Sequence, residues 1–428
     1  MTVRRSAAAL ATTAVLLASA APAALADSSS PSPSPSGSSA PLSVPADPHA
    51  GLYGTSDPTY DGVWRQSLAF LAQKIEYVTP SVEAVNWLKL QQCDSGAFAA
   101  YRDFRKPCDA KTMTDTNSTA AAVQALAELT GEKTAVANGI DWLASVQNDD
   151  GGWGYTPGSP SDANSTAVVV GAFARAGKKL TDVTSSAGHT PYDVLRGLAL
   201  PCGGEDGGAF AYQPDKKGAP AANADATAAA VLGTMGKGLA AGSYNPGKAP
   251  VCTPGTGLTT EQVAQNGAHW LAAALAGSGH LDQAPMPGAE STDPQPDFGN
   301  TADAVVALAA SGHQDKAASA ITWLEKNSAA WAKQSGPAAY AQLILAAHAT
   351  GTDARDFGGA DLVAQLNATG PAPAATAVPS PTPTGAQPAA GSTGSSGFSV
   401  WWLIAVGLAV GAGIGFLISN RGKDKGGR

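Results

Sequence analysis

Hydrophobic and polar positions return along this chain in blocks of regular period. Each block between residues 84 and 232 contains an amphipathic helix, a glycine-aromatic loop and a second helix that is rich in alanine. The alanine-rich segments are apolar around most of their circumference, which is typical of helices that are buried on every side. The amphipathic segments have a polar face, which places them at the surface. A repeat of this kind predicts an array of similar helix pairs.

The number of segments predicts the architecture. Alanine-rich segments begin near residues 62, 118, 165, 226, 301 and 338, and amphipathic segments near 81, 134, 191, 260, 315 and 358. Six helix pairs in strict alternation predict an all-α fold, an (α/α)6 toroid. The alanine-rich helices are expected to form the inner ring, because small side chains with high helix propensity allow close approach near a crowded axis.

Both ends of the chain indicate export and anchoring. Two arginines, an apolar stretch and the small-x-small motif Ala24-Leu25-Ala26 predict a signal peptide over 1–26. Segments 27–50 and 371–397 are rich in Ser, Pro and Ala, and predict linkers on either side of a toroid domain over 51–370. The uncharged segment 398–418 is long enough to span a bilayer, and the basic tail 419–428 follows it. The positive-inside rule predicts a single-pass cell-membrane protein with an extracellular toroid and a cytoplasmic tail.

The cysteines and the charge narrow the class further. Four cysteines in an exported chain predict two disulfides, for which three pairings are possible. Cys93 with Cys108 and Cys202 with Cys252 are favoured, because each pair closes a segment within one repeat or between adjacent helices. A net charge of −8 without a basic patch argues against nucleic acid as a partner. The six histidines show no metal-binding spacing, so neither a metal nor a cofactor is expected.

Acidic residues mark the starts of the inner helices. An Asp or Asn next to Ser or Thr opens each of the segments Asp115 to Thr119, Asp162 to Thr166, Asn223 to Thr227 and Asp297 to Thr301. Their simplest interpretation is N-capping, in which the side chain accepts a hydrogen bond from a free backbone N–H. Because all these starts are expected at one end of the toroid, the same carboxylates would also rim one mouth. A functional interpretation is therefore that Asp115, Asp162, Asp225 and Asp297 bind a cationic, hydroxylated or metal-bearing ligand there.

Aromatic residues of the glycine-aromatic loops are expected at the same mouth. They form three pairs, Phe98 with Tyr101, Trp153 with Tyr155, and Phe210 with Tyr212. One interpretation is packing between repeats, in which each ring covers the next unit. The other is ligand binding, because aromatic and acidic groups would alternate around one concave surface.

The loop motif resembles a known repeat. Residues 147–153, Gln-Asn-Asp-Asp-Gly-Gly-Trp, fit the Gln-x3-Gly-x-Trp motif of the prenyltransferase/squalene oxidase (terpenoid cyclase) repeat superfamily, and residues 92–98 are a variant that ends in Phe. The resemblance covers about residues 57–368 and implies an α/α toroid. More distantly, the chain is similar to the toroid domain of cobalamin carriers, which use a smaller β domain to close over their ligand. No such β domain is visible in this sequence.

The chemistry of these families does not carry over by motif. Squalene-type cyclases use the central acid of an Asp-x-Asp-Asp motif, and protein prenyltransferases hold zinc with Asp-x-Cys and a distant His; neither motif occurs here. Toroids with an internal thioester carry Gly-Cys-Gly-Glu-Gln, whereas the third residue after Cys202 is Glu205. We therefore expect a non-catalytic extracellular binding module that captures a small molecule or a cell-surface ligand at one mouth. The alternative is a terpenoid-cyclase-like or polysaccharide-active enzyme.

Overall fold

The computed structural model describes residues 44–214, 218–244, 249–283 and 294–375, and these residues are mainly α-helical. The first seven helices are α1 (Gly62–Ile75), α2 (Val82–Leu90), α3 (Thr116–Ala127), α4 (Lys133–Ser145), α5 (Ala163–Arg175), α6 (Pro191–Leu198) and α7 (Ala224–Thr234). The next six are α8 (Thr260–Leu275), α9 (Phe298–Ala310), α10 (Ala318–Asn327), α11 (Ala329–Ser335), α12 (Pro337–Thr350) and α13 (Leu362–Asn367).

Six of these helices close into a ring. α1 packs against α3, α3 against α5, α5 against α7, α7 against α9, α9 against α12, and α12 returns to α1. The helices α2, α4, α6, α8, α10 and α13 lie outside, each packed on the inner helix that precedes it. The predicted all-α class and the alternation of inner and outer helices are therefore confirmed.

The predicted helix starts lie within four residues of the observed ones. Several smaller elements were not predicted. A short helix, α11, stands between α10 and α12, and Ser328 ends α10 and begins α11. A 3-10 turn covers Leu180–Asp182. Two antiparallel ladders pair β1 (Phe98–Ala99) with β2 (Thr114–Asp115) and β3 (Leu281–Asp282) with β4 (Pro296–Asp297).

Small residues allow the inner helices to pack closely. In α3, the run from Ala120 to Val123 is fully buried, as expected for a helix with neighbours on all sides. At the α5–α7 contact, a Cβ built on Gly233 would stand only 2.9 Å from the Cβ of Ala167. Any larger residue at 233 would force these two helices apart, because packed interiors have no spare volume there.

Four inner helices begin with the same hydrogen bond. The capping residues are Asp115, Asp162, Asn223 and Asp297. Each accepts a hydrogen bond from the backbone N–H three residues later, at N···O distances of 2.6, 2.7, 2.8 and 2.9 Å respectively. The N-capping interpretation is confirmed at all four of these predicted starts. In the third repeat the cap is Asn223, and Asp225 is the second residue of α7.

A threonine fixes each glycine-aromatic loop to its inner helix. Thr119, Thr166, Thr227 and Thr301 each stand four residues after a capping residue. Their Oγ1 atoms accept hydrogen bonds from the backbone N–H of Phe98, Trp153, Phe210 and Leu281, at 2.9, 3.1, 2.9 and 3.0 Å. This repeated contact places the loops at the N-terminal ends of the inner helices, as the sequence predicts.

The rings of these loops belong to the core. Phe98 and Phe210 are fully buried, and Trp153 is 1% exposed. The Trp153 indole N–H donates to the backbone carbonyl of Leu143 at 2.8 Å, so its polar atom is satisfied within its own repeat. Burying aromatic rings of this size is a main source of stability between consecutive repeats.

Both favoured disulfides are present. Cys93 is bonded to Cys108, and Cys202 to Cys252. The first bridge holds the loop that precedes α3. The second joins the segment after α6 to the segment before α8. The choice among three pairings is therefore confirmed.

The predictions for the chain ends fall mostly outside the described residues. The signal peptide 1–26, the membrane span 398–418 and the tail 419–428 are not described, and the linkers 27–50 and 371–397 are described only from residue 44 and up to residue 375. Among the helices within 44–375, none is both long and apolar enough to cross a membrane. Export and anchoring remain predictions from the sequence.

Candidate functional site: an acidic cavity on the toroid axis

A cavity of about 270 Å³ lies among the six inner helices. Each inner helix contributes to its wall. The helix-borne lining residues are Trp64, Leu68, Asn117, Gln124, Asn164, Ala167, Val168, Asp225, Ala228, Ala229, Leu232, Asp303, Val306, Gln342 and Leu345. Because all six helices meet there, the cavity lies on the axis of the ring.

One polar layer of the cavity comes from equivalent positions in three repeats. Asn117, Asn164 and Asp225 each stand two residues after a capping residue. The Asn164 side-chain N–H donates to Oδ2 of Asp225 across the α5–α7 contact. The pairing of equivalent positions shows that these helices run parallel and in register. The fourth repeat has Gly299 at this position, which leaves space beside Gln342.

A second polar layer lies one turn further along. Asp303 and Gln342 each stand six residues after the residue that precedes their helix, Asp297 for α9 and Gly336 for α12. The Gln342 Nε2 atom is 3.4 and 3.3 Å from the two carboxyl oxygens of Asp303. Val168 in α5 and Ala229 in α7 occupy the same position, so the polar part of the cavity wall at this level comes from α9 and α12.

The two carboxyl groups lie in an environment that favours their neutral forms. Burial, together with the nearby Asp225 and Asp297 carboxylates, raises the pKa of Asp303 to about 7 against the opposing effect of the Gln342 hydrogen bond. Burial also raises the pKa of Asp225, against the Asn164 hydrogen bond. Both residues are only partly exposed, and the space that they face is the cavity. Near neutral pH a fraction of Asp303 is therefore protonated and can donate a hydrogen bond.

The remaining wall is largely apolar. It consists of Trp64, Leu68, Val168, Leu232, Val306 and Leu345, together with the small alanines of α5 and α7. A cavity with two acids in one part and aliphatic and indole surface in another suits a molecule with a polar group on an apolar body.

The segment after α7 forms part of the wall. Lys237, Gly238 and Leu239 line the cavity. The Leu239 N–H donates to Oε1 of Gln124 at 2.8 Å, and the Nε2 of Gln124 donates to the carbonyl of Val168 at 2.9 Å. Gln124 therefore holds the segment against α3 and α5. Further along, the Tyr244 N–H donates to the carbonyl of Ala309 near the end of α9.

Of the ten residues predicted as ligand-binding, Asp225 is the one that lines this cavity. Asp115 and Asp162 are buried caps, and burial raises the pKa of Asp115 to about 6 and that of Asp162 in the same direction. Asp297 caps α9. The structure thus separates the acids into caps and a cavity-facing pair, Asp225 and Asp303.

The six predicted aromatic residues lie away from the cavity wall. Phe98, Trp153 and Phe210 are core residues. Tyr101 stacks on Trp87 and on His49, with ring centroids 6.5 and 5.7 Å apart.

The remaining two, Tyr155 and Tyr212, are 46% and 41% exposed. The Tyr212 hydroxyl donates to Asp162. Burial and the nearby Asp115 carboxylate raise the pKa of Tyr155 to about 12. Burial and the nearby Asp162 carboxylate raise the pKa of Tyr212 to about 12 as well. Contact of any of these six residues with a ligand remains a prediction.

Sequence reasoning missed most of the cavity residues. Asp303 had a recognisable signal, because it is the one charged residue on an otherwise small and apolar inner helix. Asn117 and Asn164 each stand two residues after a cap. This equal spacing would have indicated that both side chains lie on the same face of their helices. Trp64 and Gln342 gave no such signal, because they lie in the first and last inner helices, where the repeat motif is weakest.

Metal binding has no support in the described part of the chain. No group of three or more His, Cys, Asp or Glu side chains lies close enough there to hold an ion. The cysteines of that part are all in disulfides.

Neither a protein-family model nor a curated protein matches the chain. Among solved structures, a sugar epimerase from a ruminal bacterium has a TM-score of 0.43 and 12% identity, over 65% of this chain and 81% of the epimerase. The ent-copalyl diphosphate synthase of Streptomyces platensis has a TM-score of 0.42 and 14% identity, over 68% of this chain and 51% of the synthase. The type II terpene cyclase MstE of Scytonema has a TM-score of 0.41 and 14% identity, over 64% of this chain and 72% of the cyclase.

Two of these three proteins are terpene cyclases and one is a sugar epimerase. Their activities belong to those proteins. None of the three is a cobalamin carrier, so the more distant resemblance to cobalamin carriers stays a prediction.

Proposed function

We propose that this protein binds a small organic molecule in the axial cavity, and that it does so as an extracellular, membrane-anchored binding module. The observation that carries the proposal is the acid pair Asp225 and Asp303 inside a cavity that all six inner helices line. Burying two carboxyl groups is unfavourable for folding, so a binding role gives a reason for their position.

The shape of the cavity supports this function. Its volume of about 270 Å³ is near the lower end of the usual range for small-molecule sites, which begins at roughly 300 Å³. The acids and amides would fix the orientation of the ligand, and the Trp64 and leucine surface would provide most of the contact area.

A space-filling substitution tests whether the cavity binds anything. Ala229→Phe places a ring among the lining residues, whereas Ala273→Phe adds the same ring to the exposed face of α8. Native mass spectrometry of the full chain purified from its own host should show a bound small molecule in the wild type and in Ala273→Phe. It should be absent from Ala229→Phe. A ligand retained by a folded Ala229→Phe variant would contradict binding in the axial cavity.

The location is proposed from the sequence of the chain ends. The 21-residue uncharged segment 398–418 and the basic tail support anchoring with the toroid outside the cell. Protease treatment of intact cells should remove the toroid, and a chain that ends at residue 397 should appear in the medium. Protection of the toroid in intact cells would contradict this topology.

A second candidate function is acid catalysis, and one observation favours it. Burial raises the pKa of Asp303 to about 7, which is a suitable value for a general acid near neutral pH. Incubation of host extract with the full chain should then change its small-molecule profile, and Asp303→Asn should bind the same molecule without changing it. Binding without any chemical change by the wild type would leave only the binding module.

A further inference from the structure

If the axial cavity binds a small molecule, as proposed above, its polar part restricts the chemistry of that molecule. Asp225 and Asp303 face the cavity, and each is held by one neutral amide, from Asn164 and Gln342 respectively. No Lys, Arg or His forms an ion pair with either acid within the residues that the structure describes. Lys237 also lines the cavity, but its side chain is exposed.

The amides around the acids leave two buried oxygen atoms without a donor. The Nδ2 atom of Asn164 points to Asp225, which fixes the orientation of this side chain and leaves Oδ1 on its other side. The Oδ1 atoms of Asn164 and of Asn117 are both buried without a hydrogen-bond partner among the described residues. A buried acceptor without a partner lowers stability. The polar part of the cavity therefore contains two acids that no cationic side chain of the described residues pairs with.

The apolar wall adds a third constraint. Trp64 lines the cavity together with Leu68, Leu232 and Leu345. An indole face attracts cations, and the aliphatic side chains suit a hydrocarbon body. A neutral hydroxyl group would supply one donor and would leave both carboxylates without a counter-charge.

We propose that the ligand of the axial cavity is an organic ammonium compound, with its charged nitrogen between Asp225 and Asp303 and its apolar body against Trp64 and the leucines. An ammonium group brings up to three N–H donors and one positive charge to a region that has acceptors and acids. Charge-assisted hydrogen bonds of this kind are roughly twice as strong as neutral ones.

Two probes of equal shape test the proposal. Cyclohexylmethylamine and cyclohexylmethanol differ only in the ammonium or hydroxyl group. Isothermal titration calorimetry with the full chain at about pH 7.5, where the amine is charged, should give a Kd at least about tenfold lower for the amine. Asp225→Asn and Asp303→Asn should each remove most of this preference. Asp141→Asn, on the exposed face of α4, should retain it.

The outcomes separate the two proposals. Equal binding of both probes would overturn the ammonium assignment and leave the binding function intact. Failure of both probes to bind the wild type would count against the binding function as well. A preference for the amine that persists in a folded Asp225→Asn variant would overturn the role of the acid pair, and this variant decides the question if Asp303→Asn does not fold.

Discussion

The glycine-aromatic loops and the axial layer are both built from repeated positions, yet they differ in how strictly they repeat. In the loops, the residue that caps the helix and the threonine four positions later make the same hydrogen bonds in four repeats. At the axial position two residues after the cap, the same repeats have Asn117, Asn164, Asp225 and Gly299. The difference separates positions that every helix needs from positions that face one shared space.

The loops repeat strictly because each one meets a requirement of its own helix. The axial positions vary because their side chains share one cavity. Each inner helix has free N–H groups at its start and a loop to hold, so every repeat solves the same problem with the same residues. The axial side chains meet in a single cavity, where each repeat can contribute a different group to one site. Variation between repeats is therefore what a specific site on the axis requires.

The largest change in stability is expected for a substitution in a glycine-aromatic loop. Trp153→Ala removes a buried ring and its hydrogen bond to Leu143, and should lower the free energy of unfolding by about 3–5 kcal/mol. Urea denaturation followed by circular dichroism measures this change. Trp142→Ala, a half-buried position on the outer helix α4, is the control and should cost clearly less. An equal loss in both variants would remove the special role of the loop ring.

The next largest change in stability is expected at Asp303 in the axial cavity, and it depends on pH. The pKa of Asp303 is raised to about 7 from an ordinary value of 3.8, so between these values the folded protein holds a proton that the unfolded chain has released. The contribution of this group to stability is thus present below about pH 4 and is lost as the pH rises to about 7. Asp303→Asn should remove this loss, which is up to about 4 kcal/mol, so that the variant gains stability relative to wild type as the pH rises.

Urea unfolding of both proteins at several pH values between about 4 and 8 measures the difference. Asp225, whose pKa burial also raises, remains in the variant and contributes its own pH dependence. The comparison therefore uses the difference between variant and wild type. A difference that does not change with pH would contradict the raised pKa of Asp303.

A smaller effect is expected at the threonine that joins loop and helix. Thr166 accepts the Trp153 N–H and is fully buried, so Thr166→Val keeps the shape and removes the acceptor. The expected loss is about 1–3 kcal/mol, because the Trp153 N–H is left without a partner. Thr166→Ser retains the hydroxyl and should recover part of the loss. If the valine variant is as stable as wild type, the repeated hydrogen bond has no energetic role.

The sequence predicted the loops well and the cavity poorly, for reasons that particular residues make clear. The caps Asp115 and Asp162 could be predicted because capping depends on residues within one turn of the helix. Cys93–Cys108 and Cys202–Cys252 followed from distance along the chain. Asp225 was predicted among the acids at the mouth, whereas it faces the cavity on the axis.

The cavity depends on contacts that are distant in sequence. Gln342 meets Asp303 from 39 residues away, and Asn164 meets Asp225 from 61 residues away. The Gln124 contact with Leu239 spans 115 residues. A period within one repeat contains no information on which neighbours share the axis, so these pairs appear only when the ring is closed.

The smallest change in stability is expected at Asp162, and it tests whether this residue acts as an N-cap or through the charge of its carboxylate. Asp162→Asn should change stability by less than about 0.5 kcal/mol near pH 7, because Asn is an equally good N-cap. Two further effects oppose each other. The variant loses an acceptor of the Ser165 and Tyr212 hydroxyls, and it also loses a fully buried carboxyl group whose pKa burial has raised. Because a raised pKa makes wild type less stable as the pH rises above about 4, the variant should compare better at high pH than at low pH.

Asp162→Ala provides the control, because it loses the cap and should cost roughly 1 kcal/mol or more at every pH. Thermal and urea unfolding of both variants over the same pH range decide the matter. If Asp162→Asn were as unstable as Asp162→Ala, the carboxylate itself would be required at the loop. Asp162 would then no longer be explained as an N-cap alone. If it also weakened binding of the amine probe, the acidic site would extend from Asp225 to the rim.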